Sequence, residues 1–113
     1  MADQSCIFCL IIAKKIPAII IEENDTVLVI KDRSPKTPTH YLLLPKIHIE
    51  SVAHLEKGQA HYMSDIMLMA QQLSKKLSGD KSFRLLVNNG KGVGQSVFHL
   101  HCHFLAGKKM SDF

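Results

Sequence analysis

No stretch of this 113-residue chain approaches the roughly 20 consecutive apolar residues of a membrane span, so a bilayer-crossing helix is not expected. The opening Met1-Ala2-Asp3-Gln4-Ser5-Cys6 lacks a basic region followed by an apolar stretch and a small-residue cleavage site; no secretory signal is read, and a cytoplasmic location is expected. Cysteine is scarce and odd in number (Cys6, Cys9, Cys102), which favours thiols or metal ligands over a disulfide framework. Lysine and arginine are scattered, with no basic stripe interleaved with aromatics, so the net charge of +4 argues for steering a small phosphorylated substrate at least as well as for nucleic acid. Repeats and low-complexity tracts are also missing. What is present is a 46% hydrophobic composition, which excludes disorder and, at this length, implies a single domain over residues 1–113.

Apolar Cys6 to Ala13, closed by Lys14-Lys15 and Pro17, predicts a short first helix. Ile19-Ile20-Ile21 and Thr26-Val27-Leu28-Val29-Ile30, either side of a turn-like Glu23-Asn24-Asp25, read as a hairpin. Tyr41-Leu42-Leu43-Leu44 is apolar on both faces and ended by Pro45, which suits a central strand. Tyr62, Met63, Ile66, Met67, Met69, Ala70, Leu73 and Leu77 recur at helical spacing and define the main helix, with Gly79 as its stop. Its apolar stripe is wide enough for a partner chain as well as its own sheet. Residues 83–87 and 97–105 flank a glycine-rich turn and form an antiparallel pair. The expected class is α+β: a five-stranded antiparallel sheet with one long and one short helix on one face.

Phe98-His99-Leu100-His101-Cys102-His103-Phe104 alternates so strictly that, as a strand, it sends three imidazoles to one face and four hydrophobic side chains to the other. Each imidazole brings a donor and an acceptor that need partners, so three in register point to an opening rather than to packing. They do not suit one shared metal. Side chains at alternate positions span roughly 13 Å of strand, whereas zinc needs nitrogens about 2.0 Å away. The row suits an extended anion better, one ring attacking a central atom while its neighbours address the others; a phosphate ester fits. The preceding Asn88-Asn89-Gly90-Lys91-Gly92-Val93-Gly94 turn would offer backbone N–H groups to phosphate oxygens, with Gln95 and Ser96 beside it. The alternative is a hairpin turn that needs positive φ.

Cys6-x-x-Cys9 has the spacing of half a tetrahedral metal site, and His48 and His99 are the candidates to complete it. The alternative is two buried cysteines lining the first helix beside Ile7, Phe8 and Ile11. Cys102 alternates onto the apolar face and reads as structural.

Together these residues resemble the histidine triad (HIT) family of nucleotide-binding proteins, whose mark is His-x-His-x-His followed by two apolar positions; here it is His99-Leu100-His101-Cys102-His103-Phe104-Leu105. Cys6-Ile7-Phe8-Cys9, Ile16-Pro17, Pro38-Thr39-His40, Pro45-Lys46-Ile47-His48-Ile49, Asn88 and Gly94-Gln95-Ser96-Val97 extend the likeness over almost the whole chain. Gln95-Ser96-Val97 before the triad and Ala106-Gly107-Lys108-Lys109-Met110 after it resemble the Hint-like branch, which hydrolyses purine nucleoside phosphoramidates, with AMP as a typical product.

The resemblance implies a homodimer whose sheet continues across the axis. It makes His101 the nucleophile that forms a covalent nucleotidyl-histidine, with His99 and His103 orienting the ring and binding phosphate oxygens and His40 supporting them from the next strand. Ser96 would relay a proton to the departing amine. Phe8, Ile11 and Ile16 would form the base pocket, Asp32 would take the ribose hydroxyls, and Asn88, Gly94, Gln95 and Ser96 would contact the nucleotide. No cofactor is required for the chemistry; zinc on Cys6, Cys9, His48 and His99 would be structural. Two positions depart from the branch. Arg33 stands where a branched aliphatic residue usually follows Asp32, and Phe113 stands near the end where a tryptophan is common. Competing readings are a dinucleoside polyphosphate hydrolase and a non-catalytic, zinc-stabilised nucleotide-binding adaptor; a nucleic-acid or membrane partner is not expected.

Overall fold

Val27-Leu28-Val29-Ile30 is apolar at every position, and a strand of that kind has to be covered on both faces. The computed structural model, which describes residues 5–112, shows how. Five antiparallel strands, β1 (Ile20–Glu23), β2 (Val27–Lys31), β3 (Thr39–Pro45), β4 (Phe83–Leu86) and β5 (Cys102–Ala106), lie in the order β1-β2-β3-β5-β4. The long helix α2 (Ala60–Ser74) packs Ile66, Met69, Ala70 and Leu73 against Val27, Val29, Leu43, Leu100, Cys102 and Phe104. The short helix α1 (Ile7–Ile12) packs Phe8, Cys9 and Ile11 against Leu28, Ile30, Leu42 and Leu44 on the other face. Helices therefore cover both sides, not the one side expected, because alternate residues of β2 and β3 point to opposite cores.

β3 occupies the centre, as its doubly apolar pattern requires. The β1–β2 hairpin turns on Asn24, whose side-chain oxygen accepts the N–H groups of Thr26 and Val27. α1 begins with Cys6 as cap, its sulfur accepting the Cys9 N–H, and ends where Lys14 turns left-handed (φ 62°) and the Lys15 N–H reaches back to the Leu10 carbonyl.

Two boundaries differ from the expected ones. α2 stops at Ser74, five residues before Gly79, because the Lys76 and Leu77 N–H groups tighten onto the carbonyls of Leu73 and Ser74. β5 starts only at Cys102. Upstream of it the Leu100 N–H bonds to the Ile49 carbonyl at 2.6 Å, so this stretch is fastened to the loop after β3 instead of joining the ladder. Side-chain alternation survives that change: Leu100, Cys102 and Phe104 enter the α2 core while the histidine rings fall on the α1 side, although Phe98 is 45% exposed.

Candidate functional site: a histidine row beside a thiol cluster

Register on the α1 face of the sheet gathers the polar residues. Leu42 pairs with His103 and His40 with Leu105, so His40 and His103 are diagonal neighbours; the Asp32 N–H bonds to the His40 carbonyl and brings Asp32 alongside. His40 Nε2 lies 2.9 Å from His103 Nδ1 and 3.4 Å from Asp32 Oδ2. His101 lies next in line, its ring 5.1 Å from that of His103 and edge-on to Phe8 at 5.1 Å.

Main-chain groups fix the tautomers. The Lys36 N–H donates to His40 Nδ1, so the neutral ring carries its proton on Nε2 and donates it to His103 Nδ1, which in turn places the His103 proton on Nε2. His101 Nδ1–H donates to the His99 carbonyl at 2.8 Å, so the lone pair of the neutral ring is on Nε2. Burial pushes His103 down to about 4, helped by His101 and His40 and opposed by Asp32; His40 is lowered by burial too, against the pull of Asp32. In the neutral rings, the Nε2 lone pair of His101 thus stands beside the Nε2–H of His103. Asp32, His40 and His103 are close enough to hold a cation, but the Lys36 N–H keeps a proton on the His40 nitrogen that would have to ligate it.

His99 differs from its neighbours. It is fully buried, and its Nε2–H donates to the Pro45 carbonyl at 2.9 Å. Nδ1 is left facing Cys6 Sγ at 3.4 Å and Cys9 Sγ at 3.5 Å, and His48 Nδ1 is 3.3 Å from Cys9 Sγ. A tetrahedral zinc with sulfur and nitrogen ligands has S···N edges of about 3.6 Å. Two sulfurs and two imidazole nitrogens, with all four atoms within 4.8 Å of one another, therefore fit that ion in chemistry and in size. Burial raises the Cys6 thiol to about 11 and, despite the Pro45 carbonyl, lowers His99 to about 4, so a cation held there would have to displace a thiol proton and would meet a neutral imidazole. Both ring nitrogens of His99 being engaged, none remains for the phosphate oxygen expected of it.

The glycine turn is likewise engaged with itself. N–H groups of Gly90, Val93, Gly94 and Gln95 all bond within the loop, Gly90 to the Gln95 side chain and Gly94 to the Lys91 carbonyl. Gly90 and Gly94 hold φ of 106° and 102°, the conformational demand that the turn reading anticipated. Gln95 is buried and braces the loop, its amide donating to the Glu50 and Val97 carbonyls. Ser96 borders a 380 Å³ cavity with Cys6, His48 and Glu50, a cavity that His40, His101 and His103 do not line. Asn88 is half-buried just past β4. Ile11 and Ile16 line a separate cavity of 300 Å³ with Lys15, Pro17, Ala18 and Ile20, while Phe8 lies under the imidazoles. Arg33 is exposed, and Phe113 lies outside the described residues. Sequence reasoning missed Lys36, Pro45 and Ile49, which act through main-chain atoms that no residue type advertises.

A family model described as HIT domain matches residues 13–110. Protein HitA of Neisseria gonorrhoeae is 41% identical over 102 residues, covering 90% of this chain and 95% of that one. A 14 kDa zinc-binding protein of Zea mays is 32% identical over 111 residues, covering 96% and 87%. Among solved structures, a HIT family hydrolase from Clostridium thermocellum superposes with a TM-score of 0.92 at 38% identity, covering 98% of this chain and 97% of its own.

Proposed function

The chain belongs to the HIT-domain family, and from that premise we propose that it hydrolyses purine nucleoside 5′-phosphoramidates to nucleoside monophosphate and amine. One observation carries the reading: the bond from His101 Nδ1 to the His99 carbonyl makes Nε2 the lone-pair nitrogen of the neutral ring. In the proposed first step that lone pair attacks the α-phosphorus, a His101–phosphorus bond forms, and the bond to the amine breaks. Water then cleaves the nucleotidyl-histidine and restores the ring. His103 Nε2–H donates to a phosphate oxygen as charge gathers there, and the His40 proton on His103 Nδ1 keeps that donor aimed outward. Asp32 Oδ1 accepts the Ser34 N–H, and the carboxylate's remaining lone pairs are assigned to the ribose hydroxyls.

The base is assigned to the apolar pocket of Ile11 and Ile16 with Phe8 beneath the phosphate, and Ser96 is assigned the relay of a proton from water to the leaving amine, its hydroxyl passing one proton on as it takes up another. Asn88, Gly94 and Gln95 complete the nucleotide-binding set, the last two by shaping the loop. Cys6, Cys9, His48 and His99 would hold a structural zinc; the name of the maize relative and the fit of the donor set support it. We further assign the protein to the cytoplasm as a homodimer joined near α2 and β4, where Met67 and Leu68 are 48% and 62% exposed and an 890 Å³ groove is lined by Leu73, Leu77 and Phe83.

Turnover of an adenosine phosphoramidate and of a dinucleoside polyphosphate, measured side by side for wild type and His101→Ala, tests the reading. Preference for the phosphoramidate, lost in His101→Ala while nucleotide still binds, is the expected result. Faster cleavage of the dinucleotide would move the substrate assignment to the P–O–P class, and negligible turnover of both would favour the zinc-stabilised adaptor.

A further inference from the structure

Two constellations meet in one residue. The ring of His99 belongs to the thiol cluster, and the carbonyl of the same residue accepts the Nδ1–H of His101. We infer that His99 is a positioning residue: by gathering its ring with Cys6, Cys9 and His48, the chain fixes the tautomer and aim of the His101 imidazole through the carbonyl they share. The inference rests on the reading of His101 as nucleophile.

The sheet alone does not hold that carbonyl. Residues 99–101 precede β5, so no ladder bond from β3 or β4 reaches them. They are fastened instead by the His99 ring to Pro45 and by the Leu100 N–H to Ile49. The cluster adds ties to two other segments, Cys6 and Cys9 at the head of α1 and His48 in the loop after β3. Phe8, between the two cysteines, sets its ring against both His99 and His101, at 6.0 and 5.1 Å. Pulling the four ligands onto one cation therefore fixes the carbonyl behind the nucleophile and the aromatic wall beside it. Groups that orient a reacting ring through a hydrogen bond are commonly worth about 10- to 100-fold in activity.

A cluster that is merely structural would change the melting temperature and leave the nucleophile as it was. Long-range proton–nitrogen NMR of the histidine rings separates the two cases, using the zinc-loaded protein, the same protein after chelation, Cys9→Ser and, because His48 is exposed and its loss threatens folding least, His48→Ala. The inference predicts a single Nδ1–H tautomer for His101 with zinc, a mixture of tautomers without it or in either variant, and a kcat lower by about tenfold or more with KM held. His101 signals that stay put on stripping while the protein melts earlier would overturn it, as would failure to take up zinc in equimolar amount. A zinc-dependent tautomer in a protein that cleaves no phosphoramidate would uphold the inference and remove the substrate reading instead.

Discussion

At the scale of single residues, the site is defined by which nitrogen of each neutral ring carries the proton. His101, His103 and His40 have their tautomers set in sequence by the His99 carbonyl, the His40 proton and the Lys36 N–H. The alternating histidines made the row of rings legible from the chain, and position 40 was legible as its neighbour. The occupied state of His99 was not, since its second nitrogen is taken by a carbonyl of Pro45 that any residue would offer. Ser96 is a sharper case: it stands three residues before His99, away from the His40, His101 and His103 rings, and its assigned proton matters only for a basic leaving group. Ser96→Ala is therefore expected to slow an alkylamine phosphoramidate about 100-fold, while an anilide whose amine leaves readily is slowed far less. Equal loss on both substrates, read from their kcat values, would contradict the role.

Elements impose their own logic. β2 and β3 are apolar at nearly every position, and that pattern already demands cover on both faces; pairing it with a single helical layer overlooked Leu28, Ile30, Leu42 and Leu44, which need α1 as much as Val29 and Leu43 need α2. The start of β5 was less accessible, because the bond that diverts Leu100 comes from Ile49, about fifty positions earlier in the chain. Leu43 is fully buried in the central strand between Val29 and Cys102. Leu43→Ala should lower the unfolding free energy by about 2–5 kcal/mol, measured by urea denaturation; a loss well under 1 kcal/mol would mean that the two cores are not held by this strand.

For the molecule as a whole, a row of buried imidazoles makes stability depend on pH. His99 and His103 sit near 4 instead of the ordinary 6.5, both lowered mainly by burial, so between those values the unfolded chain binds protons that the folded one refuses. Stability should fall as pH drops from about 6.5 to about 4 and level off below. The sign is the same with His99 on a cation, which excludes the proton equally. Urea midpoints across that range should show a smaller fall in His103→Asn, which keeps an acceptor for the His40 proton; an unchanged slope would remove His103 from the account. No helix among the described residues is long and apolar enough to cross a membrane.

The central claim, that His101 takes the nucleotidyl group onto Nε2, is met most directly by mass spectrometry of protein quenched in acid-free denaturant seconds after mixing with an adenosine phosphoramidate. The account predicts one added adenylyl group, mapped to His101 and missing from His101→Ala. An adduct on another residue, or full turnover with no adduct at any quench time and undiminished in the variant, would contradict it.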